Sequence, residues 1–282
     1  MTLKETIAAM RRRLVPIYGE GEAKAMIRLI FHSLKDWNVT DMIIHEGDEV
    51  SEYIREKILQ ILSRLEKEEP IQYILGEAYF YGMNLKVDRS TLIPRPETEE
   101  LVDMIVKRNR CRNDLNVLDI GTGSGAIAIA LSRYLPFSKV TAMDISKEAL
   151  AVARENAIRL KAKINFINED IFSWMPGKNS FDIIVSNPPY IDDSEKLLME
   201  RNVLDYEPHS ALFVPDDNPL IFYSRIIEIS LSALSDRGEI YFEINPRHCD
   251  ELVSLLHHEG FRDIECHKDM YGKNRFISAL KG

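Results

Sequence analysis

Cysteine is scarce in this chain. Cys111, Cys249 and Cys266 are the only three in 282 residues, and none sits in a Cys-x-x-Cys or Cys/His spacing. That argues against a zinc site and for a reducing compartment. Long apolar runs are missing too; nothing approaches the roughly 20 residues that span a bilayer. The start, Met1-Thr2-Leu3-Lys4-Glu5, lacks the charged-then-apolar layout of a secretion signal. The expected location is therefore cytoplasmic, without membrane contact. Positive charge is in short supply: 36 Lys and Arg stand against 45 Asp and Glu, a formal net charge of −9. This is the wrong sign for a protein that neutralises a phosphate backbone, so no direct nucleic-acid partner is expected. Thirteen Gly and twelve Pro are too few for a low-complexity chain. What remains is an ordinary globular balance, 45% hydrophobic and 29% charged, long enough for one large domain or two modest ones and able to bury a core without disulfides or metals.

The first 75 or so residues read as helices only. Ala23, Ile27, Ile30, Phe31 and Leu34 recur at helical spacing, as do Ile54, Ile58, Ile61, Leu62 and Leu65 after a Ser51 N-cap. Pro16 and the Gly19–Gly21 pair are expected to separate the first helix from the second, and Pro70 to end the last long one. Arg11-Arg12-Arg13 reads as a solvated helix face. Phe80 to Val87 then reads as a hairpin around Gly82 or Asn84. From Pro96 onward strands and helices alternate. The strand-like runs are Val117–Ile120, Lys139–Met143, Ile164–Ile167, Phe181–Ser186, Glu239–Ile244, Phe261–Cys266 and Arg275–Leu280, with helices at Ser146–Leu160 and Leu220–Leu234. Such alternation implies a mostly parallel sheet covered on both faces. The last two strands, joined by a short turn near Gly272, are expected to pair antiparallel. Arg237-Gly238 reads as a turn before the fifth strand.

Leu118-Asp119-Ile120-Gly121-Thr122-Gly123-Ser124-Gly125 follows a strand and opens an apolar helix. Glycines there let backbone turn tightly and approach a ligand, with helix N–H groups aimed at it. About twenty residues on, Asp144 ends the second strand, where a carboxylate accepts hydrogen bonds from ribose hydroxyls. After the third strand, Asp170 and Phe172 offer an acceptor for an exocyclic amine and a ring to stack on adenine. Three strand ends thus face one adenosine cofactor. The glycines alone do not exclude NAD, but Asp119 before the loop would set negative charge beside a pyrophosphate, whereas it suits the ammonium and sulfonium charges of S-adenosylmethionine.

The fourth strand ends in Ser186-Asn187-Pro188-Pro189-Tyr190. Two prolines stiffen the segment and remove two donors. The Asn187 side-chain oxygen and the Pro188 carbonyl can accept the two hydrogens of a planar –NH2 group, with Tyr190 on its π-face. Two such acceptors enrich a poorly nucleophilic amide or amino-arene nitrogen and aim it at a sulfonium methyl. No general base is needed before transfer.

Taken together, Pro70 to Gly76, Leu92-Ile93-Pro94-Arg95-Pro96-Glu97-Thr98-Glu99, Asp119 to Gly125, Asn187-Pro188-Pro189-Tyr190-Ile191 and Tyr206-Glu207-Pro208 resemble the peptide chain release factor glutamine methyltransferases, the HemK/PrmC family. The resemblance implies a seven-stranded Rossmann-like methyltransferase sheet (residues 96–282), a small N-terminal all-helical domain that docks the substrate (residues 1–76), and a β-hairpin linker between them (residues 77–95). It implies methyl transfer from S-adenosylmethionine to the side-chain nitrogen of the glutamine in the Gly-Gly-Gln motif of class I release factors. Gly121 to Gly125 then match the methionine-side loop, Asp144 the ribose acid, and Phe172 the aromatic near adenine. Asn187 to Tyr190 match the substrate clamp, with Asn187 also within reach of the cofactor. A monomer is expected. The alternative is a DNA or RNA adenine-N6 methyltransferase, which the acidic charge and the lack of a basic target-reading region disfavour. A third possibility is a non-catalytic binding protein that keeps the cofactor pocket. Seven scattered histidines give no metal site. Arg95, Glu97, Glu207 and Glu243 are left open between structural and site roles.

Overall fold

A computed structural model describes residues 1–282. The chain divides into two compact units, Met1–Gly76 with Glu200–Tyr206, and Glu77–Met199 with Glu207–Gly282.

The first unit is helical: α1 Leu3–Lys35, α2 Val39–Ile44, α3 Glu52–Leu65 and α4 Ile71–Leu75. A capping box starts α1, with the Thr2 hydroxyl accepting from the Glu5 N–H and the Glu5 carboxylate accepting from the Thr2 N–H. The chain breaks its helical course at Gly19, whose φ of +75° a side chain would resist. The break falls there alone; Pro16 stays inside the helical stretch. Ser51 caps α3 through the Ile54 N–H. Pro70 does not end α3, which stops at Leu65, but begins α4, where its missing N–H costs nothing. Leu14, Ile27, Ile30, Phe31, Ile58, Leu62 and Leu65 form the core. The basic run divides by partner: Arg13 makes a paired contact with Glu66 at 2.6 and 2.7 Å, and Arg11 pairs with Glu20.

The second unit opens with a hairpin, β1 Glu77–Phe80 and β2 Met83–Lys86, turned by Tyr81 and Gly82, both at positive φ. The chain continues through α5 Pro96–Asn109, β3 Asn116–Ile120, α6 Ala126–Tyr134, β4 Lys139–Asp144, α7 Lys147–Arg159, β5 Ile164–Asn168 and β6 Phe181–Ser186. Then come β7 Ile191–Asp192, α8 Arg201–Tyr206 (part of the first unit), β8 Phe213–Val214, α9 Ile221–Ala233 and β9 Leu234–Glu243. The last elements are α10 Cys249–His258, β10 Arg262–Lys268 and β11 Asn274–Leu280.

Seven strands form the main sheet in the order β10-β11-β9-β6-β3-β4-β5. All neighbours are parallel except β11, which runs antiparallel to both β9 and β10, as the short turn before it predicts. Alternation along each strand divides the core between the two faces. Val117, Ile183, Val185 and Tyr241 meet α5 and α6 on one side, together with Phe80, Met83 and Leu85 of the hairpin. Leu118, Ile184, Ile240 and Phe242 meet α9 and α10 on the other. The hairpin is thus core to the sheet unit. The fifth strand, β9, begins at Leu234, earlier than expected. Arg237-Gly238 is an irregularity within it, with Arg237 at φ +63°, and the ladder to β6 shifts register there. Folding also brings the Cys249 and Cys266 sulfurs to 2.7 Å, as free thiols.

From β3 the chain steps to β4 on one side, and later to β6 on the other. The strand order reverses at this point, and the crevice beyond the carboxyl ends of β3 and β6 is where such sheets bind ligands.

Candidate active site

That crevice is a cavity of about 560 Å³. Its walls come from successive strand ends: Gly121 to Ser124 after β3, Asp144 at the end of β4, Glu169 to Phe172 after β5, and Ser186 to Pro189 after β6. Ser90 to Leu92, Pro94, Arg95 and Thr98 close it from the start of α5. The segment expected to belong to a linker therefore contributes wall.

The glycine loop is held from below. The N–H groups of Gly121 and Thr122 both donate to the Met143 carbonyl, at 2.9 and 3.0 Å. Buried Asn156 on α7 donates to the Ser124 and Lys86 carbonyls, both at 2.9 Å, and accepts from the Lys86 N–H. The glycines divide into two kinds. A Cβ on Gly123, at φ +55°, would meet nothing within 4 Å, so backbone faces open cavity there. A Cβ on Gly125 would lie 3.1 Å from Ile129 and 3.2 Å from Ala153; this glycine lets the start of α6 pack against α7.

Asp144 is organised to accept. Its Oδ2 takes the Gly123 N–H at 2.8 Å and its Oδ1 the Ser146 N–H at 2.9 Å. Each oxygen keeps a lone pair for a ligand. Burial pushes its carboxyl above the ordinary value, against the backbone donors that stabilise the charge. Asp170 folds into a turn, its Oδ1 accepting from the Phe172 N–H at 2.9 Å. The Phe172 ring is about half exposed, 5.5 Å from that of Phe222, and both rings lie on the cavity wall.

Two sequence expectations change. The first concerns Asp119, read as a group beside the ligand. It is fully buried under the loop and does not line the cavity. Its Oδ2 accepts from the Thr122 hydroxyl at 2.6 Å and from the Ala128 N–H at 3.1 Å, tying the loop to the start of α6. Its Oδ1 has no partner at all. Burial pushes this carboxyl up to about 7. The physical reason is strand alternation, which turns residue 119 to the same side as Val117, toward the helices. The second concerns Tyr190. Asn187, Pro188 and Pro189 line the cavity but Tyr190 does not. Its ring packs against the core and its hydroxyl donates to Glu243 at 3.0 Å.

The four residues left open find places. Arg95 meets the buried Glu207 at 2.6 Å, and the other Glu207 oxygen accepts from the Ile93 N–H. This pair pins the wall segment before α5 to the segment after Tyr206. Glu243, at the end of β9, is fully buried; it accepts from Thr98 at 2.6 Å and from Tyr190. Burial pushes its carboxyl up, while Thr98, Tyr190 and the Arg275 guanidinium pull it back toward the charged form. Glu97 lies close enough to Glu243 to oppose that charge. Thr98 and Ser186 were not singled out from sequence. Ser186 donates to the Ile120 carbonyl at 2.7 Å, joining the ends of β6 and β3. Its place in the last strand position before Asn187 is the one sequence signal it carries. No cluster of His, Cys, Asp or Glu could hold a metal ion, and no helix is long and apolar enough to cross a membrane.

The arrangement offers a backbone cradle, a ribose-type acceptor, an aromatic slot and a stiff pair of acceptors around one space of ligand size. It therefore fits S-adenosylmethionine: open space over Gly123, spare lone pairs on Asp144 and an unpaired buried carboxylate oxygen on Asp119 near a cationic ligand's site.

Comparison with known proteins agrees. The family model described as the PrmC N-terminal domain matches residues 5–76, and that of the methyltransferase small domain matches residues 97–205. A release factor glutamine methyltransferase from Bacteroides thetaiotaomicron is 46% identical over 274 residues, 96% of this chain and 98% of that protein. One from Flavobacterium psychrophilum is 40% identical over 282 residues, 99% of each. Among solved structures, a methyltransferase from Pyrococcus furiosus matches with a TM-score of 0.53 at 18% identity. It covers 82% of this chain and 100% of its own, a likeness of fold alone.

Proposed function

The chain belongs to the release factor glutamine methyltransferase family, and on that premise we propose that it methylates the glutamine side-chain nitrogen in the Gly-Gly-Gln motif of class I release factors. The observation that carries this reading is the shared wall: Asn187 and Pro188 border the same cavity as the glycine loop and Asp144.

When bound, S-adenosylmethionine supplies an electrophilic methyl group on a positively charged sulfur. Gly121 to Ser124 would hold the methionine side, Asp144 would accept from the ribose hydroxyls, and Asp170 and Phe172 would serve the adenine, while Gly125 packs α6 against α7 and lies off the cavity. Asn187 Oδ1 and the Pro188 carbonyl accept the two hydrogens of the substrate carboxamide. They fix its plane and raise electron density on nitrogen. So held, the nitrogen would take the methyl that the bound cofactor supplies, the N–C bond forming as the S–C bond breaks with its electron pair left on sulfur. One nitrogen proton then leaves to solvent, so the site requires no strong base. Tyr190 contributes by stiffening the segment through Glu243.

The helical unit is assigned to docking. A groove of about 1200 Å³ in it sets Lys4, Arg11, Arg12, Lys24 and Arg28, against only Glu20 and Glu46, around an apolar lining that includes Ile7 and Ile43. In a chain of net charge −9, this concentration of positive charge suits an acidic, partly apolar surface of the release factor. The protein is proposed to act as a cytoplasmic monomer. Nothing in the relatives' names favours the adenine-methyltransferase alternative.

The test is mass spectrometry of a purified release factor after incubation with the protein and S-adenosylmethionine. One methyl on the Gly-Gly-Gln glutamine is expected; an unmodified glutamine after prolonged incubation, with methyl groups appearing on duplex DNA instead, would reverse the assignment.

A further inference from the structure

We propose that Thr98 and Glu243 are positioning residues that set which end of the Asn187 carboxamide meets the substrate. The inference rests on the glutamine-methylating reading of the site and deepens it.

The argument is one of hydrogen-bond direction. Glu243 is buried at the end of β9. One of its oxygens accepts from the Tyr190 hydroxyl at 3.0 Å, the other from the Thr98 hydroxyl at 2.6 Å. A threonine hydroxyl has a single proton, and here the carboxylate takes it. Toward its other neighbour Thr98 can then only accept. That neighbour is Asn187, 3.3 Å away, which must present its Nδ2. A carboxamide that turns –NH2 toward Thr98 turns its oxygen the other way. The opposite orientation would set Asn187 Oδ1 against an oxygen with no proton to give, leaving both unsatisfied in a half-buried place.

The consequence is chemical selectivity. With Oδ1 presented, Asn187 and the Pro188 carbonyl make a pair of acceptors, matched to a group that carries two donor hydrogens. A glutamine –NH2 satisfies both. A glutamate carboxylate in the same place would meet two acceptors with no proton between them. If Asn187 were free to rotate, half of the pair would become a donor and repel the –NH2 it should hold. Thr98 lies on α5, and Glu243 ends β9, the sheet strand against which α5 packs, so the polarity of the clamp is set by the core and not by the loop that bears it.

The test compares the wild-type chain with Thr98→Val, which keeps the shape and deletes the hydroxyl, and Thr98→Ser, which restores it. Turnover and KM are read on a Gly-Gly-Gln release factor, with cofactor affinity by calorimetry and melting temperature alongside. Thr98→Val is expected to lower kcat by roughly tenfold or more, since misorientation of a catalytic contact acts on the transition state, with cofactor affinity and KM little changed. Thr98→Ser should recover most of that loss. Glu243→Gln, which lets Thr98 donate in either direction, should fall between them. Equal losses in the Val and Ser variants, or an unchanged kcat in Thr98→Val, would overturn the proposal. So would a loss confined to cofactor affinity or melting temperature. A second readout does not depend on turnover: the Asn187 side-chain amide protons, followed by NMR, should exchange slowly in the wild type and in Thr98→Ser and rapidly in Thr98→Val. If the wild type leaves release factors unmethylated, the functional reading fails by itself, and the NMR comparison still decides the orientation.

Discussion

Asp119 is a carboxyl whose charge the fold accommodates poorly, and its titration should be visible in both folding and cofactor binding. The carboxyl is fully buried, two donors serve one of its oxygens, and the other has none. Burial is the largest cause of its rise to about 7, with the negative charge of Asp144 adding to it. In the unfolded chain it titrates near its ordinary value of 3.8. The folded protein therefore holds this proton more tightly than the unfolded one. The stability contributed by neutral Asp119 is whole below about pH 4 and is lost as pH rises through about 7, a difference on the order of 4 kcal/mol for a shift of that size. The apoprotein should accordingly melt at lower temperature on the alkaline side of this window. A cationic ligand acts in the opposite sense. Positive charge in the adjoining cavity favours the ionised carboxylate, so binding and deprotonation are linked.

Between about pH 6 and about pH 8, a carboxyl of pKa near 7 goes from roughly one-tenth to nine-tenths ionised, so affinity for S-adenosylmethionine should rise by up to about tenfold. Calorimetry in two buffers of different ionisation enthalpy reads both the affinity and the proton released on binding. Asp119→Asn keeps an acceptor for Thr122 and Ala128 and removes the charge. It should raise the alkaline melting temperature, weaken cofactor binding, and flatten the pH dependence of both. Affinity that does not vary across this range in the wild type, together with full-strength binding by the Asn variant, would refute the reasoning.

Other outcomes follow from particular contacts. Asp144→Ala removes an acceptor and leaves the Gly123 and Ser146 N–H groups unpaired; cofactor affinity measured by calorimetry should fall by about 1–3 kcal/mol, with a smaller effect on kcat at saturating cofactor. Gly125→Ala forces a Cβ to 3.1 Å from Ile129 at a φ of +83°, and urea unfolding should show a loss of about 1–3 kcal/mol. Arg12→Glu combined with Lys24→Glu in the groove of the helical unit should raise KM for intact release factor while leaving kcat on a short Gly-Gly-Gln peptide unaltered. An equal change on both substrates would remove docking from that groove.

The reach of sequence reading in this protein follows the range of the interactions involved. Buried strands such as Val117–Ile120 and Ile183–Val185 announce themselves as short apolar runs, because both of their faces are covered. The glycine loop is legible because its conformation is a local requirement, and so is the Asn187-Pro188-Pro189 corner, whose stiffness is covalent. Local rules fail where two of them compete. Arg237-Gly238 carries turn residues, yet the ladder to β6 pairs Leu234 before it and Glu239 after it, and the conflict emerges as an irregularity. Pro70 likewise looks like a helix end and is a helix start, since the same missing N–H is tolerated at either boundary. Asp119 shows a subtler limit: alternation along β3 already assigns it to the side of Val117, but a carboxylate beside a glycine loop invites a ligand contact, and only the packing of α6 shows that it is roofed over. Thr98 and Glu243 lie 145 positions apart, and neither residue type nor spacing pairs them. The acceptors that meet the substrate are thus written in one short stretch of chain, while the orientation that makes one of them an acceptor depends on a contact between helix and strand that only the folded sheet creates.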